Sequence, residues 1–314
     1  MDFLSLFSEA FFIVLFGTSL RASTPLLLAA LGETYTESSG VLNLGIEGIM
    51  LSGAFCSFVV ALFTENLFYG FLAGILIGLL LALLIGVLTI LLRVNQIVVG
   101  LGVTIFASGI TSFLFRILFG TRFPILAQIA VTLRIPGLAD LPYIGGSFFN
   151  QHLVVYLSLV LIPVLHIFLY RTHFGLKIRA VGESPISADA AGVNVAWVRF
   201  VCLVMGGMLA GLGGAFLAIG DLSFFVSNMT LGRGFIAIAV VMLGKWNPYK
   251  VFLGALLFGI TQSLASGLQV LGVDVRPEFV LMLPYVTVIV ALVIMARNTL
   301  LPSAFGLPYC RGQK

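Results

Sequence analysis

Six stretches of this chain run for eighteen residues or more without one Asp, Glu, Lys or Arg: 69–92, 94–115, 151–170, 200–220, 251–273 and 279–296. About 20 apolar residues in a helix cross the hydrocarbon core of a bilayer. Two further spans carry a single charge each, 41–63 with Glu47 and 10–32 with Arg21. A ninth apolar region, 222–244, is interrupted by Arg233 between Gly232 and Gly234, so it reads as two short pieces or a re-entrant element. The fold class that follows is an all-α polytopic membrane protein of about eight to ten transmembrane helices, with at least one broken or re-entrant element. Residues 1–314 form one transmembrane domain in this reading.

Composition excludes the alternatives. Only 9% of the 314 residues are charged and 60% are hydrophobic. A soluble domain has about 25% charged residues, so this chain cannot cover a water-facing surface. Barrel strands would alternate apolar and polar residues, whereas these runs are continuous. The net charge of +4 marks loop orientation rather than nucleic-acid binding. Cys56, Cys202 and Cys310 form no disulfide framework, and His152, His166 and His173 lack metal-ligand spacing. The opening MDFLSLFSEAFF places Asp2 and Glu9 where a signal peptide would be basic.

Lys and Arg set the sidedness. The loop 171–199, with Arg171, Lys177, Arg179 and Arg199, is placed in the cytoplasm. Alternation adds Arg93, Lys245, Lys250, Arg297, Arg311 and Lys314 on that side and makes the N-terminus external. Arg116, Arg122, Arg134, Arg233 and Arg276 fall outside or near it, as do Asp2, Glu9, Glu65, Asp140, Asp221, Asp274 and Glu278. Residues 32–40 become a cytoplasmic connection with no basic residue. The extracytoplasmic segment 120–150 contains Pro124, Pro136, Gly137, Pro142, Gly145 and Gly146. It predicts an ordered cap of turns with a short helix, serving as a docking surface or a plain connector.

Polar groups at membrane depth are costly and usually face a bundle interior or a pathway. Asn43 precedes Glu47 by one helical turn within GVLNLGIEG, which has three glycines in nine residues and suits a broken helix. Asn43 and Glu47 line a solute path, or Glu47 forms a buried structural pair with Arg21. Asn95 and Gln96 either extend that path or form an interfacial cluster after Arg93. Asp221 and Arg233 gate a mouth or mark its edge. Gly74, Gly78, Gly207, Gly211 and Gly214 are spaced for close helix contact.

The loop sequence GLKIRAVGESPISADAAGV (175–193) encodes a short helix with both ends written in. Ser184 is a good N-cap, Pro185 suits the first helical position, and Gly192 stops the helix. So short a helix is unstable alone in water. It must pack on something: its small residues suit a groove on a partner, or the helix rests on its own membrane domain. There is no G-x-x-x-x-G-K-[ST], no H-E-x-x-H and no nucleophile triad, so no ATP-cradling or hydrolytic chemistry belongs to this chain.

GVLNLGIEGIML (40–51) and GLKIRAVGESPISADAAGV resemble the permeases of bacterial ATP-binding-cassette importers, in the nucleoside and simple-sugar branch related to the ribose and branched-chain amino-acid permeases. TPLLLAALGE (24–33), NQIVVGL (95–101) and GGMLAGLGGA (206–215) support the resemblance, which runs over residues 10–300. It implies a pore-forming subunit, not an enzyme, in the bacterial cytoplasmic (inner) membrane. Residues 185–191 would be the coupling helix, with Gly182, Glu183, Ser184, Pro185, Ala188, Asp189, Ala191 and Gly192 at the ATPase contact. No cofactor is implied in this chain; ATP and Mg would sit on a separate ATPase. A second related permease, or a copy of this chain, and an extracytoplasmic solute-binding protein complete the implied assembly. Nucleosides are the first solute implied and simple sugars the second. A proton-coupled carrier using Glu47 is the alternative of another class. The family often has Asn at the place of Ser184, and Glu-Arg-Ser-Gly where this chain has Glu37-Ser38-Ser39-Gly40.

Overall fold

The computed structural model describes residues 9–128, 130–134, 136–137, 139, 145–270, 276–295 and 301–310. Asp2, Asp140, Pro142, Asp274, Arg297, Arg311 and Lys314 lie outside the described residues. The order is α1 (Glu9–Ser38), α2 (Ile46–Thr64), α3 (Leu67–Gly86) continued by a π turn (Val87–Leu91), and α4 (Gln96–Phe119). The outer segment follows as β1 (Thr132–Arg134), α5 (Gly145–Phe148) and β2 (Asn150–His152). Then come α6 (Leu153–Arg171), α7 (His173–Glu183), α8 (Pro185–Ala190), α9 (Val195–Ala215) with a π turn (Phe216–Leu222), α10 (Arg233–Leu243), α11 (Pro248–Val270) and α12 (Pro277–Met295). Among the described residues, seven helices are long and apolar enough to cross a membrane, and α10 and α12 contain two shorter apolar segments. α10 has 11 residues, about 16 Å of rise, roughly half a bilayer core. The glycine-interrupted region is therefore a half-length element, entered through turns after α9.

Glycine lets the central helices touch backbone to backbone. A Cβ on Gly53 would lie 2.5 Å from the Gly211 carbonyl oxygen, and one on Gly32 would lie 2.8 Å from that of Gly206. Gly78 faces Gly207, and Gly214 faces Met50, with no room for a methyl group. Helices α1, α2, α3 and α9 thus form the close-packed centre, as small residues permit where lipid tails give no hydrophobic drive. The apolar rows of α3, α4 and α6 remain largely exposed, including Phe68, Ile105 and Val160.

One end of the bundle gathers the 38–40 turn, Arg93, α7, α8, Lys245 and the 301–310 segment. This end carries Arg93, Arg171, Lys177, Arg179 and Lys245, the residues that the sequence reading assigns to the cytoplasm. One boundary differs. Residues 32–40 are not a loop: α1 continues to Ser38, and Glu33 and Glu37 are fully buried. Glu37 accepts a hydrogen bond from Trp246 Nε1 (2.7 Å), and Glu33 accepts one from the Asn43 amide (3.3 Å). Such partners keep a polar turn helical and inside the protein. The connection to α2 is then the buried, irregular stretch 39–45, where Gly40 adopts φ +85°.

At the opposite end the outer segment is a two-stranded antiparallel pairing of β1 with β2 plus the four-residue α5. Gln151 Nε2 donates to the Gly17 and Ser147 carbonyls at 3.0 and 2.6 Å, fastening this cap to α1. Leu126 N–H donates to Ser223 O (2.9 Å), fastening it to the end of α9.

Candidate functional sites along the bundle

The α7–α8 segment is built as its sequence prescribes. Ser184 Oγ accepts the Ser187 N–H at 3.3 Å, and Pro185 opens α8. At the other end Val193 N–H donates to Ala188 O (3.0 Å) and Gly192 N–H to Asp189 O (2.9 Å), with Gly192 at φ +83°. This is a Schellman closure, which glycine accepts without strain. The helix has an inner and an outer side. Gly182 and Ala188 are buried, and a side chain at Gly182 would collide with the Ser38 carbonyl at the end of α1. Glu183, Ile186, Ser187, Ala190, Ala191 and Gly192 are exposed, Ile186 at 60%. Of the residues assigned to the ATPase contact, then, Gly182 and Ala188 seat the segment on its own bundle. Glu183, Ala191 and Gly192 face outward. Ile186, Ser187 and Ala190 join that outward face.

The 301–310 segment holds α7–α8 in place, which no local pattern of residues signals. Ser303 Oγ donates to Glu183 Oε2 (3.0 Å), Tyr309 Oη to Asp189 Oδ2 (3.0 Å), and Ala304 N–H to Gly182 O (2.9 Å). Gly306 N–H reaches Gly40 O (3.0 Å). Arg199, buried on α9, donates from Nε to Ser39 O (3.2 Å) and from Nη1 to Leu307 O (2.9 Å). A guanidinium thus stands beside the 38–40 turn although position 38 is serine. It arrives from another helix.

In the interior, Glu47 is 7% exposed and caps α10. Its Oε1 accepts from Thr230 Oγ1 (2.6 Å) and the Gly232 N–H (2.9 Å), and its Oε2 accepts from the Gly234 N–H (2.6 Å). A carboxylate at a helix N-terminus meets unpaired N–H groups and the positive end of the dipole. Arg21, the partner named as one alternative, is not among these donors. Asn43 Oδ1 accepts from Gly45 N–H (3.1 Å), Gln96 Oε1 from Leu42 N–H (2.8 Å), and Asn95 Oδ1 caps α4 through Ile97 and Val98. Of the four residues assigned to a solute path, Asn43, Asn95 and Gln96 thus organise local backbone. Glu47 does so too, and it also borders a cavity of about 590 Å³ with Thr104, Ser108 and Asn228.

Arg21 belongs elsewhere. Toward the outer end of α1, α9, α10 and α11, Arg21, Asp221, Arg233, Gln262 and Ser263 border a cavity of about 510 Å³. Asp221 feels the charges of Arg233, Arg21 and His152. His152, at the end of β2, is pushed below the ordinary imidazole value by burial first and by the Arg21 charge second. Arg21, Asp221 and Arg233 were each visible in the sequence; that they share one cavity was not. Gln262 and Ser263 sit in an uncharged span and gave no signal.

No solved structure matches the chain. Among curated proteins it is 39% identical over 274 residues to a Haloferax volcanii protein provisionally named the glucose ABC transporter permease protein TsgC13, covering 84% of this chain and 80% of that one. It is 35% identical over 313 residues to the guanosine ABC transporter permease protein NupQ of Bacillus subtilis, covering 94% and 96%. It is 35% identical over 310 residues to the nucleoside ABC transporter permease protein NupC of Lactococcus lactis, covering 96% and 98%. The model for the permease component of the branched-chain amino acid transport system matches residues 15–292. With that match over most of its length, these relatives and nine apolar helical segments among the described residues, the chain belongs to that family of membrane-spanning ABC transporter permeases.

Proposed function

We propose that this chain is a pore-forming subunit of an ATP-driven importer for nucleosides, working in a bacterial cytoplasmic membrane. ATP and Mg would bind a separate ATPase. A second permease, related or identical, would complete the pore, and an external binding protein would deliver the solute to the outer cap. The observation that carries this reading is the two-sided α7–α8 segment. Gly182 locks its α7 part to the end of α1 and to Ala304, Asp189 ties α8 to Tyr309, and the outer side of α8 offers Ile186 and small residues to a partner.

The mechanism follows from that attachment. Closure of the ATPase pair would displace α8. Gly182 packs against the end of α1 with no slack, so the displacement passes into a 30-residue helix. That helix carries Arg21 near its middle, bordering one cavity with Asp221 and Arg233. Rigid helices thereby convert a cytoplasmic push into a change at the outer cavity. The solute itself undergoes no chemistry.

Nucleosides come first because both 35%-identical nucleoside relatives align over nearly the whole chain. A simple-sugar importer is the second reading, favoured by the 39% identity to TsgC13. The test is purification of the tagged chain from native membranes with mass spectrometry of what is retained. ATP-dependent uptake of labelled nucleosides and hexoses into proteoliposomes follows. An ATPase retained in fixed ratio, with uptake requiring enclosed ATP, is the expected outcome. A chain that purifies alone and takes up solute on a pH gradient without ATP would instead establish the gradient-driven carrier.

A further inference from the structure

Three residues that border the outer cavity each carry a buried polar atom hydrogen-bonded to nothing: Arg21 Nε, Arg233 Nη1 and Ser263 Oγ. Native interiors leave few such groups unpaired, and each calls for an explanation. Here all three belong to residues bordering one space of about 510 Å³, within the ~300–1,000 Å³ of small-molecule sites. Asp221 adds a carboxylate acceptor at the same wall and Gln262 an amide that both donates and accepts. No aromatic ring lines the cavity among the described residues, so a heterocyclic base would find no stacking platform there.

We propose that this cavity is a solute site that grips the vicinal hydroxyls of a sugar ring, the part that nucleosides and simple sugars share. This rests on the import reading above and deepens it. A hydroxyl is both donor and acceptor, so a pair of neighbouring hydroxyls needs a surface offering both. Asp221 accepts from two hydroxyls, and the free N–H groups of Arg21 and Arg233 donate to their lone pairs. Ser263 supplies a further hydroxyl. The fixed carboxylate disfavours an anion in the same place, which distinguishes a hydroxyl site from a phosphate site.

The experiment uses the assembled transporter with its own binding protein in proteoliposomes. Uptake of adenosine, 2′-deoxyadenosine and 2′,3′-dideoxyadenosine is compared, and glucose is measured in parallel. Two variants are read against the wild type, Ser263→Ala and Asp221→Asn. Ser263 Oγ bonds to nothing in the protein, so Ser263→Ala removes no internal hydrogen bond and should melt with the wild type. The expected result is that each variant lowers adenosine uptake by about tenfold, as one lost polar contact does, while dideoxyadenosine uptake changes little. The adenosine-to-dideoxyadenosine ratio then collapses. The binding protein is common to all measurements, so a change in that ratio belongs to the permease. A ratio that stays at the wild-type value in both variants overturns the site. So does stronger competition by adenosine 5′-monophosphate than by adenosine, which would make it an anion site. Absence of any ATP-driven uptake of nucleosides or glucose by the wild type would instead refute the import reading, and the site with it.

Discussion

Replacing Glu47 by glutamine separates a structural carboxylate from a transporting one. The carboxylate takes three hydrogen bonds, two on Oε1 and one on Oε2. A glutamine can place its oxygen at the Oε1 position and keep Thr230 and Gly232. Its NH2 group then points at the Gly234 N–H, a donor facing a donor. Leaving that buried N–H unpaired costs about 1–3 kcal/mol. Losing the negative charge at the start of α10 costs about 0.3–1 kcal/mol more, and up to ~2 kcal/mol at a partly buried site. The sum is about 1–5 kcal/mol. Thermal melting of the purified complex in detergent should therefore fall clearly for Glu47→Gln, and Thr230→Val should fall less, since it removes one of the three bonds. Uptake should decline in step with the folded fraction. Unchanged melting with abolished uptake would refute this reasoning and make Glu47 a proton or solute carrier.

Other perturbations probe the remaining parts. Ile186→Ser should weaken ATPase association by about 1.5–3 kcal/mol, the value of burying such a side chain, with permease melting unchanged; titration of the purified ATPase measures it. Gly78→Leu should drive a side chain into the Gly207 carbonyl and cost about 1–3 kcal/mol or more; loss of a monodisperse peak on size exclusion is the readout. Tyr309→Phe should remove the bond to Asp189, worth about 0.5–1.5 kcal/mol. ATP hydrolysis should persist while solute moved per ATP falls, and equal loss of both would assign Tyr309 to folding alone.

What the sequence disclosed was local. Ser184, Pro185 and Gly192 write the start and stop of α8 within nine residues, and each does in the structure what its chemistry dictates. Gly78 and Gly207 signalled close packing because only glycine permits it. The failures are long-range. The polar run Glu33, Thr34, Thr36 and Glu37 reads as a loop by hydropathy, yet it stays helical because Trp246 and the Asn43 amide meet its carboxylates from distant positions. Glu47 left two readings open, a pathway residue or a buried pair with Arg21, because nothing near it in sequence could satisfy it; its donors lie more than 180 residues away. The outer cavity joins Arg21 to Asp221, Arg233 and Ser263, and no periodicity links helices so far apart along the chain.

The fastening of α7–α8 by the 301–310 segment also orders events during synthesis. Every apolar helix precedes that segment, so the ribosome has delivered α11 and α12 before Ser303, Ala304 and Tyr309 emerge. Until then Glu183, Asp189 and the Gly182 carbonyl lack the hydrogen bonds those three residues supply. A chain whose last helix has failed to insert would hold residues 301–310 on the wrong face of the membrane and could not complete the α8 surface. Under the proposed function, the 301–310 segment thus makes presentation of the α8 docking face conditional on full insertion of the bundle, a check against recruiting the proposed ATPase to an unfinished pore.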